Sequence, residues 1–405
     1  MTVVLLDEAT QEHLVVGLMS GSSGDGVDAA LVRITDCCER AQVELVDFVS
    51  EPFSSEEKER IFGLFDVRRS TVDEITLMNV ILGELFARGT NAVLDQAGVD
   101  PADVALVGVW PQMVYHYPGR SNPQSLLGYT TGACLQLGDL NVIAERTGIT
   151  TVGSFCARDI AAGGNGAPLT GLGDYVLYHH DERNRAVQNI GGIANVNLVP
   201  ADGGLDSVIG FDTGPGNMVI DATVRHITGG ELDYDRDGKL AAAGQPDSDL
   251  VARFLEDSFI QQDPPKAAGR ENFGEPFAQG FIAGGASKGL SREDVVASAT
   301  ALTVEAIALN YERHLLPKSS IDEVIVGGGG ALNPELMRML RKRLEPIPVA
   351  VDDDYGIPSA AKEAIYMALL AKECALGHAN NVPSVTGGSR PVVMGLIAPA
   401  PLARA

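Results

Sequence analysis

Near its beginning the chain reads GLMSGSSGDGVD, from Gly17 to Asp28, with apolar residues on both sides. This order predicts a strand, a glycine-rich turn that ends in a carboxylate, and a second strand. Glycines let backbone N–H groups converge on a phosphate, the hydroxyls of Ser22 and Ser23 add donors, and Asp25 is placed to hold Mg²⁺ directly or through water. The segment therefore predicts a hairpin that binds the phosphates of a nucleotide, with an ordinary flexible turn as the alternative.

Three more glycine-rich segments follow in the second half of the chain. They read NIGGIAN at Asn189–Asn195, GFDTGPGN at Gly210–Asn217, and four glycines at Gly327–Gly330. The last run follows an apolar strand and precedes a helix announced by Asn333-Pro334-Glu335. A tight turn explains any one of them. A glycine hairpin in each half nevertheless predicts two related α/β domains that face one another across a cleft.

In this order the motifs resemble those of the anhydro-N-acetylmuramic acid kinase family, including its levoglucosan kinase relatives. The resemblance runs from about Gly17 to Pro399 and includes GAPL at 166–169 and PPKAAGRE at 264–271; the stretch 221–273 looks closer to levoglucosan kinases. It implies an α/β fold of two ribonuclease H-like (actin-like ATPase) domains facing across a cleft. We place the first domain at residues 1–137 plus 364–405 and the second at 138–363.

The composition narrows the classes of partner. The chain has 405 residues, 45% of them hydrophobic, and its 30 basic and 54 acidic residues give a net charge of -24. Such a charge argues against binding nucleic acid or an anionic membrane through bulk charge. No apolar run reaches the roughly 18 residues that span a bilayer, and the first nine residues carry acids where a secretion signal is basic. We therefore expect a cytoplasmic protein, and the resemblance implies a homodimer.

Local patterns predict several elements. Capping boxes at Ser54 with Glu57 and at Thr71 with Glu74 predict two helix starts. Asp139–Arg146 reads as a helix that ends at Gly148, and Ile149–Val152 reads as the first strand of the second half. The five cysteines are odd in number and lack metal-ligand or CxxC spacing, which predicts reduced thiols.

Asp212 is the predicted catalytic base, because a carboxylate at a strand end is held rigidly and shielded from water. The alternative is that Asp212 caps the helix that starts near Gly216. In the resembled family the matching aspartate activates a water that attacks the anomeric carbon and opens the 1,6-anhydro bridge, while the freed O6 takes the γ-phosphate of ATP. The resemblance thus implies an ATP-dependent sugar kinase that hydrolyses and 6-phosphorylates levoglucosan or anhydro-N-acetylmuramic acid.

The resemblance also implies the ligand sets. Asp25 and Glu363 match the magnesium ligands, although Glu363 could equally be a solvated helix residue paired with a lysine. The residues expected to bind ATP are Gly21, Ser22, Ser23, Gly26, Asn189, Gly191, Gly192, Asn195, Gly214, Gly216, Asn217, Gly328, Gly329 and Asn333. The residues expected to bind the sugar are Trp110, Gln112, Asp159, Asn165, Lys266 and Arg270. The last two lie in a proline-fixed loop that can close over phosphate or sugar, with surface solvation as the alternative.

The chain departs from the family pattern where the family's residues face the sugar. The family's His-Gly-Gln-Thr is WPQM at 110–113, its Asp-Phe-Arg is SFC at 154–156, and its Gly-Gln-Gly is GNG at 164–166. These changes remove hydrogen-bonding groups and add an indole and a thioether.

Three hypotheses follow, because the nucleotide-binding motifs match the family whereas the sugar-facing segments differ from it. The first is a kinase of an anhydro sugar, and the second is a kinase of a different, less polar hydroxyl compound, which Trp110 and Met113 favour. The third is a catalytically silent nucleotide-binding protein that signals through domain closure. The presence of Asp25, Asp212 and Glu363 together counts against the third.

Overall fold

The computed structural model describes residues 5–6, 12–21, 24, 26–120 and 122–402. The strands are β1 (Glu12–Met19), β2 (Gly26–Thr35), β3 (Gln42–Pro52), β4 (Leu106–Trp110), β5 (Gln112–Tyr117), β6 (Gln124–Leu126), β7 (Tyr129–Thr131), β8 (Ala133–Leu137), β9 (Thr151–Gly153), β10 (Arg185–Ile190), β11 (Ile193–Val199), β12 (Ile209–Pro215), β13 (Glu323–Gly327), β14 (Val349–Val351) and β15 (Leu396–Ala398).

The helices are α1 (Ser55–Leu64), α2 (Val72–Ala97), α3 (Leu140–Thr147), α4 (Phe155–Ala161), α5 (Gly171–Tyr178), α6 (Asn217–Thr228), α7 (Lys239–Ala243), α8 (Ser248–Leu255), α9 (Ser258–Gln261), α10 (Arg270–Phe273), α11 (Glu275–Ser287), α12 (Arg292–Asn310), α13 (Pro334–Leu344), α14 (Lys362–Leu376) and α15 (Pro383–Thr386). Short 3₁₀ turns connect several of these elements, and α12 continues into a π-helical turn at Tyr311–Leu315.

The chain divides into two compact units that repeat one sheet topology. The first unit comprises Met1–Leu177 and Ala360–Ala405, and the second comprises Tyr178–Ser359. The first sheet has the order β15-β9-β4-β1-β2-β3 and the second has the order β12-β11-β10-β13-β14. In each sheet the unit's first three strands are antiparallel neighbours, and two further strands extend the sheet in parallel from the first. This repetition agrees with the prediction of two related α/β halves.

The second unit begins later along the chain than the predicted boundary. Residues 138–177 lie in the first unit, because β9 pairs in parallel with β4 and antiparallel with β15. The predicted strand at Ile149–Val152 exists, but it completes the first sheet and does not open the second. Helix α14 returns the chain to the first unit, as expected.

Helix α14 lies directly on the first sheet at two glycines. Gly17 of β1 and Gly108 of β4 are opposite each other in the parallel pair. A Cβ atom on Gly17 would overlap the carbonyl oxygen of Ala364, and one on Gly108 would overlap that of Met367. Since no side chain fits at either strand position, the helix approaches to backbone contact. This packing places the first turn of α14, which carries Glu363, beside β1.

The second unit has its own hydrophobic core around α12. Residues on all sides of this helix are buried, as expected for a helix inside a domain rather than on its surface. Residues of β10, β11, β12 and β13 share this core with residues of α6, α8, α11 and α13, and α12 contacts β12 directly. The strand that carries Asp212, β12, is therefore supported by a buried helix.

Local capping predictions held where no competing partner was present. Ser54 and Glu57 form the predicted capping box of α1, and α3 begins after Asp139 and ends at Gly148 in the left-handed conformation. The second predicted box is wrong. Thr71 precedes α2 without a side-chain cap, because its side chain bonds to Asp73 and its N–H donates to the Arg69 carbonyl over 2.9 Å. The Glu74 carboxylate accepts two hydrogen bonds from the Arg60 guanidinium, each 2.8 Å long.

One cysteine pair contradicts the prediction of reduced thiols. Cys134 on β8 and Cys156 on α4 form a disulfide, while Cys37, Cys38 and Cys374 are free. The bonded pair is separated by 22 residues, and no sequence motif marks it, because strand and helix are brought together only by folding. Within the described residues no helix combines the length and the apolar character needed to cross a bilayer.

Candidate functional site

The first glycine hairpin joins β1 and β2. The Gly24 N–H donates to the Gly21 carbonyl over 3.1 Å, and Gly24 has a φ of +63°, which favours glycine. A Cβ on Gly26 would overlap the Glu51 carbonyl of β3, so packing alone requires glycine there. The predicted phosphate donors Ser22 and Ser23 and the predicted metal ligand Asp25 lie outside the described residues, and their roles stay predictions.

The second glycine hairpin joins β10 and β11 and is held by helix α6. The backbone N–H of Asn217 donates to the Gly191 carbonyl over 2.7 Å, and that of Gly216 donates to the Gly192 carbonyl over 2.9 Å. The Asn217 carboxamide also donates to the Ile190 carbonyl over 3.1 Å. These donors at the beginning of α6 therefore fix the hairpin.

The glycine run after β13 lies beside this hairpin, because β10 and β13 are parallel neighbours. Asn189 is opposite Gly327 in that pair. Gly328 has a φ of +76°, and a Cβ there would lie 2.6 Å from the Asn189 side-chain oxygen. Asn333, which follows the run, caps α13 by accepting hydrogen bonds of 3.1 Å from the N–H groups of Glu335 and Leu336. The Asn333 side-chain oxygen Oδ1 is thus used as the cap of this helix.

Two of these glycines are not explained by packing. A Cβ on Gly191 would meet no atom closer than 3.6 Å, and one on Gly329 would lie 3.5 Å from the Asn217 side-chain nitrogen. Both distances are ordinary van der Waals contacts, and neither residue has a left-handed φ. Glycine at both positions fits a backbone surface that a ligand approaches closely.

Asp212 lies in β12, next to the second hairpin. It pairs with Asn195 of β11, at a bulge between Ala194 and Asn195. The N-cap of α6 is Gly216, so Asp212 is not a helix cap and the alternative interpretation is wrong. The bulge and the positive φ of +148° at Gly214 bend β12 just after Asp212.

The Asp212 carboxylate is buried and held on one oxygen. Its exposed fraction is 5%. The Ala268 N–H donates to Oδ2 over 2.7 Å, and the Asp212 N–H donates to the Lys266 carbonyl over 3.1 Å. Among the described residues no donor reaches Oδ1. That oxygen is consequently the one that can accept a proton from a bound molecule.

Burial raises the pKa of Asp212 to about 7, and the nearby Glu271 carboxylate acts in the same direction. The Ala268 hydrogen bond and the Lys266 ammonium oppose the shift without cancelling it. A carboxylate that exchanges its proton near neutral pH suits general-base catalysis.

Lys266 supports this carboxylate from inside the second unit. Its side chain is fully buried, and its ammonium donates to the carbonyls of Phe259 and Ile260 over 3.1 and 3.0 Å. Burial lowers the pKa of Lys266 to about 8. The ammonium therefore anchors the loop whose backbone holds Asp212. Arg270, at the beginning of α10, is half-buried, and burial followed by the charge of Arg225 lowers its pKa.

A buried polar network behind β12 was not predicted from the sequence. Asn310 donates to the Thr213 carbonyl over 2.9 Å, and Thr303 donates to the Gly216 carbonyl over 2.9 Å. The Tyr311 hydroxyl donates over 3.1 Å to Gln188, whose amide in turn donates to the Asn195 carbonyl over 2.8 Å. These bonds hold the backbone just after Asp212 and the backbone of Asn195, its partner on β11. Polar residues within the otherwise apolar α12 were the signal for it.

In the first unit, the Gln112 side chain is hydrogen-bonded to Ser20 of the first glycine hairpin. It is fully buried, and the Ser20 hydroxyl donates to its side-chain oxygen Oε1 over 2.8 Å. Trp110 lies at the end of β4, opposite Met19 of β1, and is partly exposed. Of the predicted sugar contacts on this segment, the indole is the one with exposed surface.

Asp159 and Asn165, also predicted to face the sugar, are fully buried. The Asp159 carboxylate accepts hydrogen bonds from the Gly166 N–H, the Asn381 amide and the Thr386 hydroxyl over 2.9, 3.0 and 2.7 Å. The Asn165 side-chain oxygen Oδ1 accepts a hydrogen bond from the Arg120 backbone N–H over 3.0 Å. Both side chains join separate segments of the first unit.

The predicted residues thus fall into groups. The second unit brings together ten of the predicted residues: Asn189, Gly191, Gly192, Asn195, Asp212, Gly214, Gly216, Asn217, Gly328 and Gly329. Glu363 occupies the second position of α14 in the first unit and is half-buried.

Comparison with known proteins confirms the family that the motifs resemble. The family model described as anhydro-N-acetylmuramic acid kinase matches residues 13–400. The chain is 44% identical over 387 residues to the anhydro-N-acetylmuramic acid kinase of Caldanaerobacter subterraneus subsp. tengcongensis, covering 96% of this chain and 97% of that protein. It is 40% identical over 395 residues to that of Salinibacter ruber, covering 98% of each. The chain belongs to the anhydro-N-acetylmuramic acid kinase family, a family of carbohydrate kinases.

Proposed function

We propose that the protein hydrolyses the 1,6-anhydro bridge of anhydro-N-acetylmuramic acid and transfers the γ-phosphate of ATP to the O6 that this releases. Family membership over nearly the whole chain supports the sugar-kinase class. The observation that carries the hydrolytic step is the buried Asp212 carboxylate, with one oxygen held, the other without a donor among the described residues, and a pKa of about 7.

In the proposed reaction Asp212 acts as a general base. Its Oδ1 accepts a proton from a water, and the water oxygen forms a bond to the anomeric carbon. The bond from that carbon to O6 breaks, and O6 forms a bond to the γ-phosphorus as ADP leaves. Asp212 then releases its proton to solvent. The Ala268 N–H and the buried Lys266 hold the carboxylate in place during these steps, and positioned base catalysis of this kind contributes roughly 10² to 10⁴ in rate.

The glycine segments supply the surface proposed for ATP. Backbone at Gly191 and Gly329 is open where a Cβ would otherwise project, so a phosphate or ribose can approach it. The hairpin is fixed by α6 and by the network behind β12, which keeps this surface rigid. We assign phosphate contacts to the two hairpins and adenosine contacts to Gly328, Gly329 and neighbouring Asn333.

Carboxylates at Glu363 and Asp25 fit a magnesium ion by donor type, because Mg²⁺ prefers hard oxygen ligands. The half-buried position of Glu363 at the first turn of α14 leaves part of it accessible to such an ion. Bound Mg²⁺ would neutralise charge on the ATP phosphates. The ribonuclease H-like identity of the two units, their arrangement across a cleft, the homodimer and the cytoplasmic location stay predictions of the resemblance.

A second candidate is a kinase whose acceptor is a different, less polar hydroxyl compound. The burial of Gln112, Asp159 and Asn165 favours it, since their side chains are used inside the first unit. The partly exposed Trp110 would add an apolar contact. In both candidates Asp25, Asp212 and Glu363 keep their roles, but ring hydrolysis is required only when the acceptor is an anhydro sugar.

The test is ADP release from Mg-ATP with anhydro-N-acetylmuramic acid, levoglucosan, open-ring sugars and polyols. We expect the first compound to give the highest turnover, and Asp212→Asn to lower it by roughly 10² to 10⁴. Asp206→Asn, which changes an exposed carboxylate in the same unit, is the matched control.

Turnover that survives Asp212→Asn would contradict the role of this carboxylate. Turnover on polyols but on no anhydro sugar would replace the first candidate by the second. ATP binding without turnover on any compound would instead support a silent nucleotide-binding protein.

A further inference from the structure

Four metal-ligating side chains meet at the C-terminal end of α14, away from its Glu363 end. Cys37 and Cys38 follow β2 and lead into a short 3₁₀ turn. Glu373 lies in the last turn of α14, and His378 follows its C-cap, Gly377. Together Cys37, Cys38, Glu373 and His378 are referred to as the thiol cluster. None of them has a part in the reaction proposed above.

The ligand atoms of the thiol cluster are close enough to share one ion. One ligand atom from each of Cys37, Cys38 and His378 lies within 4.8 Å of the other two. The Cys38 sulfur is 3.5 Å from His378 Nδ1 and 3.4 Å from Glu373 Oε2. His378 Nδ1 is 2.9 Å from the same oxygen.

Two of these three separations match the edges of a tetrahedral zinc site. The third, the 2.9 Å hydrogen bond between His378 Nδ1 and Glu373 Oε2, is shorter than the ~3.4 Å edge between a nitrogen and an oxygen ligand, so these two atoms must move apart by about 0.5 Å when an ion binds. Zinc binds sulfur at about 2.3 Å and nitrogen or oxygen at about 2.0 to 2.2 Å, so tetrahedral angles place a sulfur about 3.6 Å from a nitrogen or oxygen ligand. The two measured sulfur separations, 3.5 and 3.4 Å, lie close to that value. Two thiolates, an imidazole and a carboxylate also form a donor set that zinc uses.

The backbone holds the cluster in place without an ion. The His378 N–H donates to the Glu373 carbonyl over 2.9 Å, and Gly377 ends α14 in the left-handed conformation. The Cys38 N–H donates to Glu373 Oε1 over 3.1 Å, which leaves Oε2 facing the sulfur and the imidazole. Glu373 is 1% exposed, whereas Cys37, Cys38 and His378 are partly exposed, so an ion can enter from solvent.

The charges of the site balance when a divalent cation is present. Two thiolates and one carboxylate carry three negative charges, and Zn²⁺ leaves one. The ammonium of Lys372 is 2% exposed and interacts with Glu373, Cys37, Cys38 and Asp36. Since the exposed Asp36 also pairs with Arg40 over 3.5 Å, Lys372 can offset the remaining charge. Buried charges require such partners.

We propose that the thiol cluster binds one zinc ion and thereby fastens the end of α14 to the segment that follows β2. Four protein ligands leave no open position, which is typical of a structural zinc site. The sequence did not show this site, because 335 residues separate Cys38 from Glu373 and no short ligand spacing exists.

The test is zinc binding by the full chain after reduction and removal of metal. A thiol titration first verifies that the cysteines are reduced, and zinc is then titrated in competition with a chromophoric chelator. Cobalt provides a second readout, since thiolate ligands give near-ultraviolet charge-transfer absorption and tetrahedral coordination gives visible bands. The variants are Cys37→Ser and His378→Ala, and Cys374→Ser changes the third free cysteine as the matched control.

We expect one zinc ion per wild-type chain and a rise of the unfolding midpoint on zinc addition. Cys37→Ser and His378→Ala should each weaken binding by more than the ~10- to 100-fold lost with an outer partner of a metal site. Cys374→Ser should bind as the wild type does. Absence of zinc binding by the reduced wild type, or zinc binding that survives both cluster substitutions, would overturn the proposal.

Discussion

Burial of Asp212 couples its proton to folding. The pKa of this carboxyl is about 7 in the folded protein, above its ordinary value because burial disfavours the charged form. Between about pH 4 and pH 7 the unfolded chain releases this proton while the folded chain retains it, so stability falls as pH rises through that window. The shift corresponds to at most about 4 kcal/mol above pH 7.

Asp212→Asn should therefore stabilise the ligand-free protein while it lowers turnover. Asparagine removes the charge, and its carbonyl oxygen can still accept the Ala268 N–H. We expect its thermal unfolding midpoint to exceed that of the wild type at pH 7.5, and the difference to shrink at pH 5, where folded wild type holds the proton. Asp206→Asn should show no such trend. A difference that is independent of pH would contradict the coupling.

Single residues also show where sequence reasoning stops. Asp212 was singled out from a local pattern, a carboxylate between glycines at an expected strand end, although the structure places it within β12 and not at its end. The burial of Lys266 and of Asp159 was not predictable in this way, because their partners come from backbone segments and side chains distant in sequence. The family resemblance predicted that both residues bind the sugar, whereas in the structure each side chain is hydrogen-bonded inside its own unit.

At the scale of elements, the second hairpin and the helix start that holds it contain two kinds of glycine. Packing requires glycine at Gly216 but not at Gly191. Gly216→Ala would drive a methyl group into the Gly191 carbonyl, so we expect a loss of about 1–3 kcal/mol in stability. Gly191→Ala meets no such contact and should change stability by less than about 0.5 kcal/mol. If ATP phosphates approach this backbone, Gly191→Ala should weaken ATP binding about tenfold, equivalent to about 1.4 kcal/mol.

Calorimetric ATP titration and thermal unfolding, each measured on both variants, distinguish the two effects. Gly280→Ala is the control, since a Cβ at this exposed position of α11 would lie 4.0 Å from its nearest neighbours. Unchanged ATP affinity in a folded Gly191→Ala protein would remove the second hairpin from the proposed nucleotide surface.

Elements were predictable to the extent that their signals are local. Caps at Ser54 and Asp139 depend on neighbours within three residues and formed as expected. The Thr71 box failed because Thr71 has other hydrogen-bond partners and the distant Arg60 binds Glu74. Strand β9 was recognised as a strand, but its sheet was misassigned, since pairing with β4 depends on residues far along the chain.

For the whole molecule, the repeated topology identifies the second unit as a continuous segment with a complete sheet and its own core. Its length lies within the ~50–250 residues of an ordinary domain. We therefore expect residues 178–359, produced alone, to form a monomeric domain that unfolds cooperatively. Circular dichroism melting, size-exclusion chromatography and amide hydrogen exchange would measure this.

The longer fragment 138–363, with the boundaries expected from the sequence, is the informative comparison. It adds α3, β9, α4 and α5, whose apolar residues Val152, Phe155 and Leu172 are buried in the first unit. Without β4 and β15, β9 would keep unpaired edges beside these side chains, and such surfaces promote association. We expect this fragment to aggregate or to bind a hydrophobic dye. If 138–363 folds cooperatively and 178–359 does not, the earlier boundary is the physical one, and β9 must have a role in the second unit.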